Sequence, residues 1–172
     1  SRQQMFNEYL WPYHAAVNAG ALTAMSSFNE FESLPLTCHK YMLQTVLRDI
    51  MGFQGMLVTD YAAIREIMQH GAAADLKEAS VRSANAGVDM DMVAEGFSTT
   101  LAEAVREGLV DEAIVDRACR RVLELKKKLG LFENPYKYNR PEELELNGSA
   151  QNRAVARKMG AQSIVLLKNE SE

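Results

Sequence analysis

Near the end of its first third, the chain reads GFQGMLVTD over residues 52–60. Two glycines frame the first four residues, a short and largely apolar run follows, and a lone aspartate closes the segment. An apolar run of this length next to turn residues is typical of a strand buried in a parallel sheet. We therefore predict a buried strand over residues 56–59, with Asp60 at its carboxyl end.

Two further apolar runs lie at equal distances on either side of this strand. Residues 21–25 read ALTAM and are predicted as a buried strand, and residues 88–92 read VDMDM and are predicted as a third strand. Met25, Val58 and Asp91 are spaced 33 residues apart, and helical patterns fill both intervals. Short strands that alternate with helices at a constant interval indicate repeated βα units, so we predict an α/β fold with a parallel sheet.

Amphipathic patterns predict the helices of these units. Pro12 falls inside the first pattern and predicts a kink or a helix start there. Asp111 is a suitable N-cap for the last helix, and the lysines at 126–128 favour its carboxyl end. Residues 26–37 are predicted as a loop. Apolar residues recur at helical spacing in a first segment that ends near Ala19, and then over residues 40–50, 76–86, 96–107 and 111–129.

The last part of the chain has a different pattern. Residues 131–148 contain two prolines and many polar residues, which indicates a linker. A short helix over residues 151–159 and an apolar strand over residues 163–167 are predicted to follow. A new structural unit is therefore expected to begin there.

Composition and length exclude several classes of protein. The chain has 172 residues, 47% of them hydrophobic, and a net charge of −4. These values are typical of a globular protein, and the chain lacks the excess of basic residues that is typical of nucleic-acid-binding proteins. No apolar run reaches the roughly 18 residues that indicate a membrane span. A complete eightfold βα barrel takes roughly 250 residues, so a barrel interpretation would describe only part of one.

The cysteines and histidines give no sign of a metal or cofactor site. Cys38 and Cys119 lie far apart in the sequence, and we expect two buried thiols rather than a disulfide or metal ligands. His14, His39 and His70 share no ligand spacing and are expected to pack or to cap helices. The chain has no phosphate-binding glycine loop or nucleophile-elbow motif. No cofactor is predicted.

Candidate functional residues follow the carboxyl ends of the predicted strands, where parallel βα units place their active sites. They are residues 26–29 after the first strand, Asp60 and Tyr61 after the second, and Asp91 after the third. A carboxylate beside an aromatic ring suits a sugar, which stacks on the ring while the acid attacks the anomeric carbon. For Asp60, a cap of the following helix is an equally open alternative. Asp89 and Asp91 favour a structural role, in hydrogen bonds to neighbouring strand ends.

Five segments of the chain resemble motifs of glycoside hydrolase family 3, the β-glucosidase-like group, and they occur in the same order. The segment that contains Asp60 is the most specific, since it resembles the family motif L-R-x-x-x-G-F-x-G-x-V-x-S-D-W. Together the five segments extend over nearly the whole chain. They are residues 24–29 (AMSSFN), 47–61 (LRDIMGFQGMLVTDY), 86–92 (AGVDMDM), 129–136 (LGLFENPY) and 163–169 (SIVLLKN).

This resemblance implies both an architecture and a reaction. Residues 1–130 would form the C-terminal part of a (β/α)8 TIM-like barrel, residues 131–150 an interdomain linker, and residues 151–172 the start of an α/β-sandwich domain. The reaction implied is that of a retaining glycoside hydrolase, which releases terminal β-D-glucosyl residues through a covalent glycosyl-enzyme intermediate. The aspartate of the family's S-D-W motif is the nucleophile, which gives that role to Asp60.

The resemblance also places parts of the active site outside this chain. A retaining mechanism needs a second carboxyl group as acid and base, in this family usually a glutamate of the second domain, beyond Asn169. A sugar-binding Lys-His pair is expected upstream of Ser1. The expected partners are therefore a β-glucoside or oligosaccharide substrate and the rest of the same enzyme, with no nucleic acid and no membrane. The isolated chain is expected to be inactive.

Three side chains are expected to bind the sugar: Met25, Phe28 and Tyr61. Tyr61 replaces the tryptophan of the family motif, and Phe28 replaces its usual tyrosine, so stacking surfaces remain while their size and hydroxyl groups change. Residues 59–62 read TDYA and differ from the T-D-D-L of the N-acetylhexosaminidase branch.

Two alternatives stay open. A β-xylosidase or arabinofuranosidase of the same family would use the same nucleophile. A non-catalytic carbohydrate-binding relative would keep the fold without the chemistry. The stretch over residues 67–75 resembles periplasmic or secreted bacterial-type enzymes, which implies that location.

Overall fold

A computed structural model describes residues 1–170 as two compact units, Ser1–Leu129 and a second unit that begins at Gly130. The first unit combines a short parallel sheet with the helices that follow its strands, which confirms the predicted α/β class. No helix within residues 1–170 has the length and apolar character that a membrane crossing requires.

The regular elements are short strands and longer helices. Helical turns of other types occur over Met5–Tyr9 and Tyr41–Ile50, which are π-helical, and over Leu36–Cys38 and Pro141–Leu146, which are 3-10. The strands are β1 (Thr23–Met25), β2 (Glu30–Phe31), β3 (Leu34–Pro35) and β4 (Met56–Val58). The α-helices are α1 (Arg2–Gln4), α2 (Leu10–Asn18), α3 (Ala63–Gln69), α4 (Leu76–Ala86), α5 (Gly96–Arg106), α6 (Glu112–Lys128) and α7 (Ala150–Ser163).

The parallel sheet joins β1 to β4. Met25 lies opposite Val58, as the 33-residue spacing predicts. Gly55 is required just before β4, because a Cβ atom there would collide with the carbonyl group of Leu22. This close approach lets the Met56 amide donate to the Leu22 carbonyl over 3.1 Å.

The third predicted strand lies beside β4 but forms only an isolated bridge, between Val58 and Met90. The pairing therefore falls one residue earlier than equal spacing predicts. The ladder is interrupted because the carboxylate of Asp89 accepts the Leu57 amide, at 2.8 Å. The Leu57 carbonyl in turn accepts the amides of both Asp89 and Met90.

The two strands differ in burial. Leu57 of β4 is buried, as predicted, whereas Thr23 and Met25 of β1 are exposed. The prediction of a buried first strand is therefore wrong. Within the described residues β1 has a partner strand on one side only, so its other edge stays accessible.

Most predicted helices of the first unit are confirmed. Helix α4 matches its predicted bounds, and Asp111 caps α6 by accepting the Ala113 amide at 2.9 Å. Pro12 lies inside α2 and neither starts nor breaks the helical run. A proline clashes with the carbonyl group four residues before it, here that of Glu8, and Glu8 lies in the wider π-helical turn.

Helix α3, the strands β2 and β3 and the 3-10 turn Leu36–Cys38 were not predicted from the sequence. Helix α3 begins three residues after Asp60, and the predicted loop over residues 26–37 contains the antiparallel hairpin of β2 and β3. The hairpin lacks the Asn-Gly turn that usually signals such a structure, since Glu32 and Ser33 occupy its two turn positions.

The core of the first unit lies between the sheet and the helices. One buried cluster joins the π-helix Tyr41–Ile50 to β4 through Leu43, Leu47, Phe53 and Leu57. A second cluster packs Ile64 and Ile67 of α3 against Ala79 of α4. The first cluster therefore holds β4 against the π-helix, and the second holds α3, which follows Asp60, against α4.

The second unit is mostly exposed. Helix α7 confirms the helix predicted over residues 151–159 and extends it to Ser163. The strand predicted over residues 163–167 is wrong, because residues 164–170 have no regular structure. A strand needs a partner for its backbone groups, and the described part of this unit contains no other strand.

The hairpin turn provides a test of the fold. Glu32 and Ser33 both have positive φ angles, 52° and 64°, which a type I′ turn requires and which are unfavourable for residues with a Cβ atom. We expect Ser33→Gly to raise the free energy of unfolding by about 1 kcal/mol, measured by urea denaturation. Ala102→Gly, on the exposed face of α5, is the control and should lower it by about as much. A destabilised Ser33→Gly variant would contradict the turn assignment.

Candidate active site

Asp60 lies two residues beyond the carboxyl end of β4, at the sheet edge where β1 also ends. Its side chain is half-buried, while the neighbouring Tyr61 is 63% exposed. Met25, the last residue of β1, is 45% exposed, and Phe28 follows it at 39%. All four residues predicted for the site therefore follow the carboxyl ends of the two parallel strands, and three present accessible apolar surface.

The backbone around Asp60 is anchored to the neighbouring segment. The Thr59 amide donates to the Met90 carbonyl over 3.0 Å, and the Ala62 amide donates to the Met92 carbonyl over 2.8 Å. The Met92 amide donates in return to the buried Thr59 hydroxyl, also over 2.8 Å. Asp60 therefore projects from a loop that is fixed on both sides.

The Asp60 carboxylate does not cap the following helix. The N-cap position of α3 is Ala62, which has no side-chain hydrogen bond, and the Ala63 amide donates to the backbone carbonyl of Asp60. One carboxylate oxygen, Oδ1, accepts the Tyr61 amide at 2.6 Å. Within residues 1–170, Oδ2 has no hydrogen-bond donor. The capping alternative is therefore wrong, and one carboxylate oxygen is available for chemistry.

A pair of buried hydroxyl groups holds the segment that carries Phe28. The hydroxyls of Ser26 and Thr37 are 2.9 Å apart, and the Thr37 hydroxyl also donates to the Ser27 carbonyl over 3.5 Å. The Ser26 amide donates to the carbonyl of Val58 over 2.9 Å. These bonds tie the end of β1 to the end of β4, so Phe28 belongs to the same edge as Asp60.

Asp89 has the structural role that was predicted, at the centre of a buried ion network. Its Oδ2 accepts from Arg48 at 2.7 Å and from the Leu57 amide at 2.8 Å, and its Oδ1 accepts from Arg121 at 2.7 Å. Arg48 also donates to the carbonyls of Phe53 and Gly55. Burial lowers the pKa of Arg48, and the charge of Asp89 opposes that shift.

Neither arginine of this network was identified from the sequence. Arg48 lies on the buried face of the π-helix, where the other residues are apolar. A charged residue on an apolar face could have indicated a buried ion pair. Arg121 had no such signal, because its partner is distant in sequence. The pairing depends on the fold and not on a local pattern.

Asp91 also has a structural role, but with different partners from those predicted. Its carboxylate accepts the amides of Ala94, Gly96 and Phe97 at 3.2, 2.8 and 3.2 Å. It therefore closes the turn before α5 instead of bonding to neighbouring strand ends.

The cysteines divide into one buried and one exposed thiol. Cys38 is buried, as predicted, and desolvation raises its pKa to about 11. Cys119 is exposed on α6, so the prediction of a second buried thiol is wrong. The residues around it on α6 are half-buried at most, because the described part of the chain covers only one side of this helix.

The histidines bind local partners. His39 accepts the Met42 amide at the start of the π-helix over 3.4 Å, which confirms a capping role. His70 is 2.6 Å from Glu30, and His14 is 3.3 Å from Asn18. No group of three metal-binding side chains occurs in the part of the chain that the structure describes.

A cavity of about 390 Å³ lies between the N-terminal helices and β1. Met25, Ser26 and Ser27 line it together with Tyr13. Asp60, Tyr61 and Phe28 are not among its lining residues. Of the four residues predicted for the site, the structure therefore places Met25 at this cavity.

Comparison with known proteins identifies the family. The sequence profile described as "Glycosyl hydrolase family 3 N terminal domain" matches residues 1–125. The chain belongs to glycosyl hydrolase family 3. The family predicted from the sequence motifs is thereby confirmed.

Several family 3 proteins are similar over almost the whole chain. A periplasmic β-glucosidase of Salmonella typhimurium is 39% identical over 100% of this chain and 23% of its own length. A β-xylosidase of Formosa agariphila is 31% identical, over 99% of this chain and 25% of its own length. The crystal structure of the Listeria innocua β-glucosidase with glucose is 38% identical, with a TM-score of 0.84 over 99% of this chain and 23% of that chain. The chain thus spans about a quarter of the length of these family 3 proteins.

The buried ion network predicts a graded loss of stability. The Asp89 and Arg48 side chains are 2% and 5% exposed, whereas Arg121 is 20% exposed. Asp89→Ala leaves Arg48 buried without its ionic partner, so we expect the free energy of unfolding to fall by about 3–5 kcal/mol. Arg121→Ala should lower the free energy of unfolding by less, about 1 kcal/mol, since Asp89 keeps its two other donors. Urea denaturation of the two variants checks the order, and equal losses would contradict it.

The two thiols are expected to differ in reactivity. A thiolate is the reactive form, and burial keeps Cys38 protonated while Cys119 is accessible. At pH 8 a disulfide-exchange reagent should modify one thiol of the folded protein quickly and the other only after denaturant is added. Cys119→Ser should abolish the fast phase, and Cys38→Ser should leave it unchanged. A fast phase that survives Cys119→Ser would contradict the burial of Cys38.

Proposed function

We propose that the protein containing this chain is a retaining β-glucosidase whose nucleophile is Asp60. The observation that carries this proposal is the state of the Asp60 carboxylate. It stands at the carboxyl edge of the sheet with one oxygen held by the Tyr61 amide and the other without a donor in residues 1–170. Family membership and the glucose complex of the Listeria innocua enzyme support a sugar as the ligand.

The reaction would follow from this geometry in two steps. Oδ2 of Asp60 attacks the anomeric carbon and forms an ester while the glycosidic bond breaks, and a carboxylic acid protonates the departing oxygen. The resulting carboxylate then removes a proton from water, which attacks the same carbon and releases Asp60. Two inversions give net retention. By resemblance, the second carboxyl group belongs to a glutamate beyond Asn169.

The exposed apolar side chains would shape the sugar subsite. The ring of Tyr61 and the side chains of Phe28 and Met25 are accessible on the same edge as Asp60. Apolar faces of this kind suit the C–H face of a pyranose. They would orient the sugar so that its anomeric carbon faces Oδ2.

We further propose the place of this chain in the whole enzyme. Residues 1–130 would be the C-terminal part of a (β/α)8 barrel, residues 131–150 a linker and residues 151–172 the start of an α/β-sandwich domain. The parallel pair of β1 and β4, each followed by helices, supports the barrel. The chain alone would lack turnover because the acid and base would come from the second domain. The periplasmic β-glucosidase of Salmonella typhimurium supports a periplasmic or secreted location.

A β-xylosidase is the second candidate, since the similar Formosa agariphila protein has that name. The two substrates differ only by the hydroxymethyl group of glucose. Aryl β-glucosides and β-xylosides compared on one enzyme preparation would decide between them. A higher kcat/KM for the glucoside is expected, and a clear preference for the xyloside would reverse the assignment.

Mechanism-based labelling tests the nucleophile. A 2-deoxy-2-fluoro β-glucoside with an activated leaving group should form a stable ester on Asp60 of the full-length enzyme, found by peptide mass spectrometry. Asp60→Gly should reduce kcat/KM by at least ~10³-fold, and added azide should restore turnover as the α-glucosyl azide. Asp49→Gly, a carboxylate on the π-helix Tyr41–Ile50, is the control and should still be labelled on Asp60. A label on another peptide would contradict the assignment of Asp60 as the nucleophile. Sugar binding without any covalent label would indicate a non-catalytic relative.

A further inference from the structure

Three strained residues surround the loop that carries Asp60. Ala62, Val93 and Glu95 have positive φ angles of 55°, 69° and 59°. This left-handed conformation is unfavourable for residues with a Cβ atom, and most of all for a β-branched residue such as valine. Surrounding contacts must therefore hold these three residues in place.

The carboxylate of Asp91 supplies contacts of this kind. Its Oδ1 accepts the Ala94 amide, and its Oδ2 accepts the amides of Gly96 and Phe97. These three bonds span the turn that contains Val93 and Glu95, and they attach it to the first residues of α5. Together with the Ser98 and Thr99 hydroxyls, which donate to the Glu95 carbonyl, they oppose relaxation of the turn from the side of α5.

The same turn begins with the backbone that anchors the nucleophile loop. The amide of Met92, next to Asp91, donates to the Thr59 hydroxyl, and its carbonyl accepts the Ala62 amide. Thr59 and Ala62 flank Asp60 and Tyr61 in sequence. A shift of Met92 is therefore transmitted directly to both ends of the segment that carries Asp60.

We propose that Asp91 is a positioning residue, which holds the strained turn 91–96 so that Met92 fixes Asp60 in its attacking position. This inference rests on the proposed role of Asp60. It goes beyond that role, because it proposes that the Asp91 carboxylate determines the position of the Asp60 carboxylate. Loss of the Asp91 bonds should slow attack by Asp60 even when the protein stays folded.

The test separates placement from folding in the full-length enzyme. Asp91→Asn keeps the shape of the side chain but turns an NH2 group toward backbone donors. We measure the rate constant and the final extent of labelling by the 2-deoxy-2-fluoro β-glucoside. Loss of folded protein lowers only the extent, whereas a misplaced nucleophile lowers the rate constant. We expect a rate constant lower by about 10- to 100-fold with complete final labelling.

A matched variant and a rescue complete the experiment. Asp111→Asn makes the same substitution at an aspartate that accepts an amide at the start of α6, and this variant should label at the wild-type rate. Glu95→Gly relieves the strain at one of the held positions, so it should restore most of the rate when added to Asp91→Asn. The role of Asp91 would be overturned if Asp91→Asn were labelled at the wild-type rate, or if the double variant were labelled as slowly as Asp91→Asn. In both cases the label would still be found on Asp60, so the proposed function would be unaffected. Wild-type enzyme labelled elsewhere would instead remove the proposed function, and this inference with it.

Discussion

The carboxylate of Asp89 joins segments of the first unit that are far apart in sequence. It accepts from Arg48 on the π-helix, from the Leu57 amide within β4 and from Arg121 on α6. Two arginines and one buried carboxylate are unfavourable in an apolar interior unless each charge has partners. Because all three donors converge on one side chain, the helices and the central strand can pack together only in one register.

The candidate nucleophile depends on this register. The Asp89 carboxylate and the core around Leu57 fix β4. The chain then leaves the sheet at Thr59, which is fully buried, and reaches the carboxyl edge at Asp60. The change from a buried strand to an accessible carboxylate takes a single residue. Within residues 1–170, the carboxylates of Asp89 and Asp91 each accept three hydrogen bonds, whereas that of Asp60 accepts one. The number of donors therefore distinguishes the two structural aspartates from the candidate nucleophile.

The sequence predicted the parts of the structure that local patterns specify. The strand 56–58, the helix bounds of α4 and the Asp111 cap all follow from periodicity and turn residues. The hairpin at Glu30–Pro35 was missed because its turn residues, Glu32 and Ser33, give no turn signal. The strand expected at residues 163–167 was wrong because strand pairing is a tertiary property that an apolar run cannot supply alone. Asp60 was chosen as a candidate from its position after an apolar strand, whereas the bonds of Arg48 and Arg121 to Asp89 were not predicted.

The exposed segment Ile164–Leu167 has a consequence for handling the chain. Its side chains are 72–92% exposed, and the segment combines β-branched and aliphatic residues with no proline or charge. Short stretches of this composition stack readily into cross-β assemblies when nothing pairs with them. Lys168 follows directly and acts as a single gatekeeper charge at one end of the stretch. We therefore expect association at high concentration to begin at this segment, which lies outside the first unit.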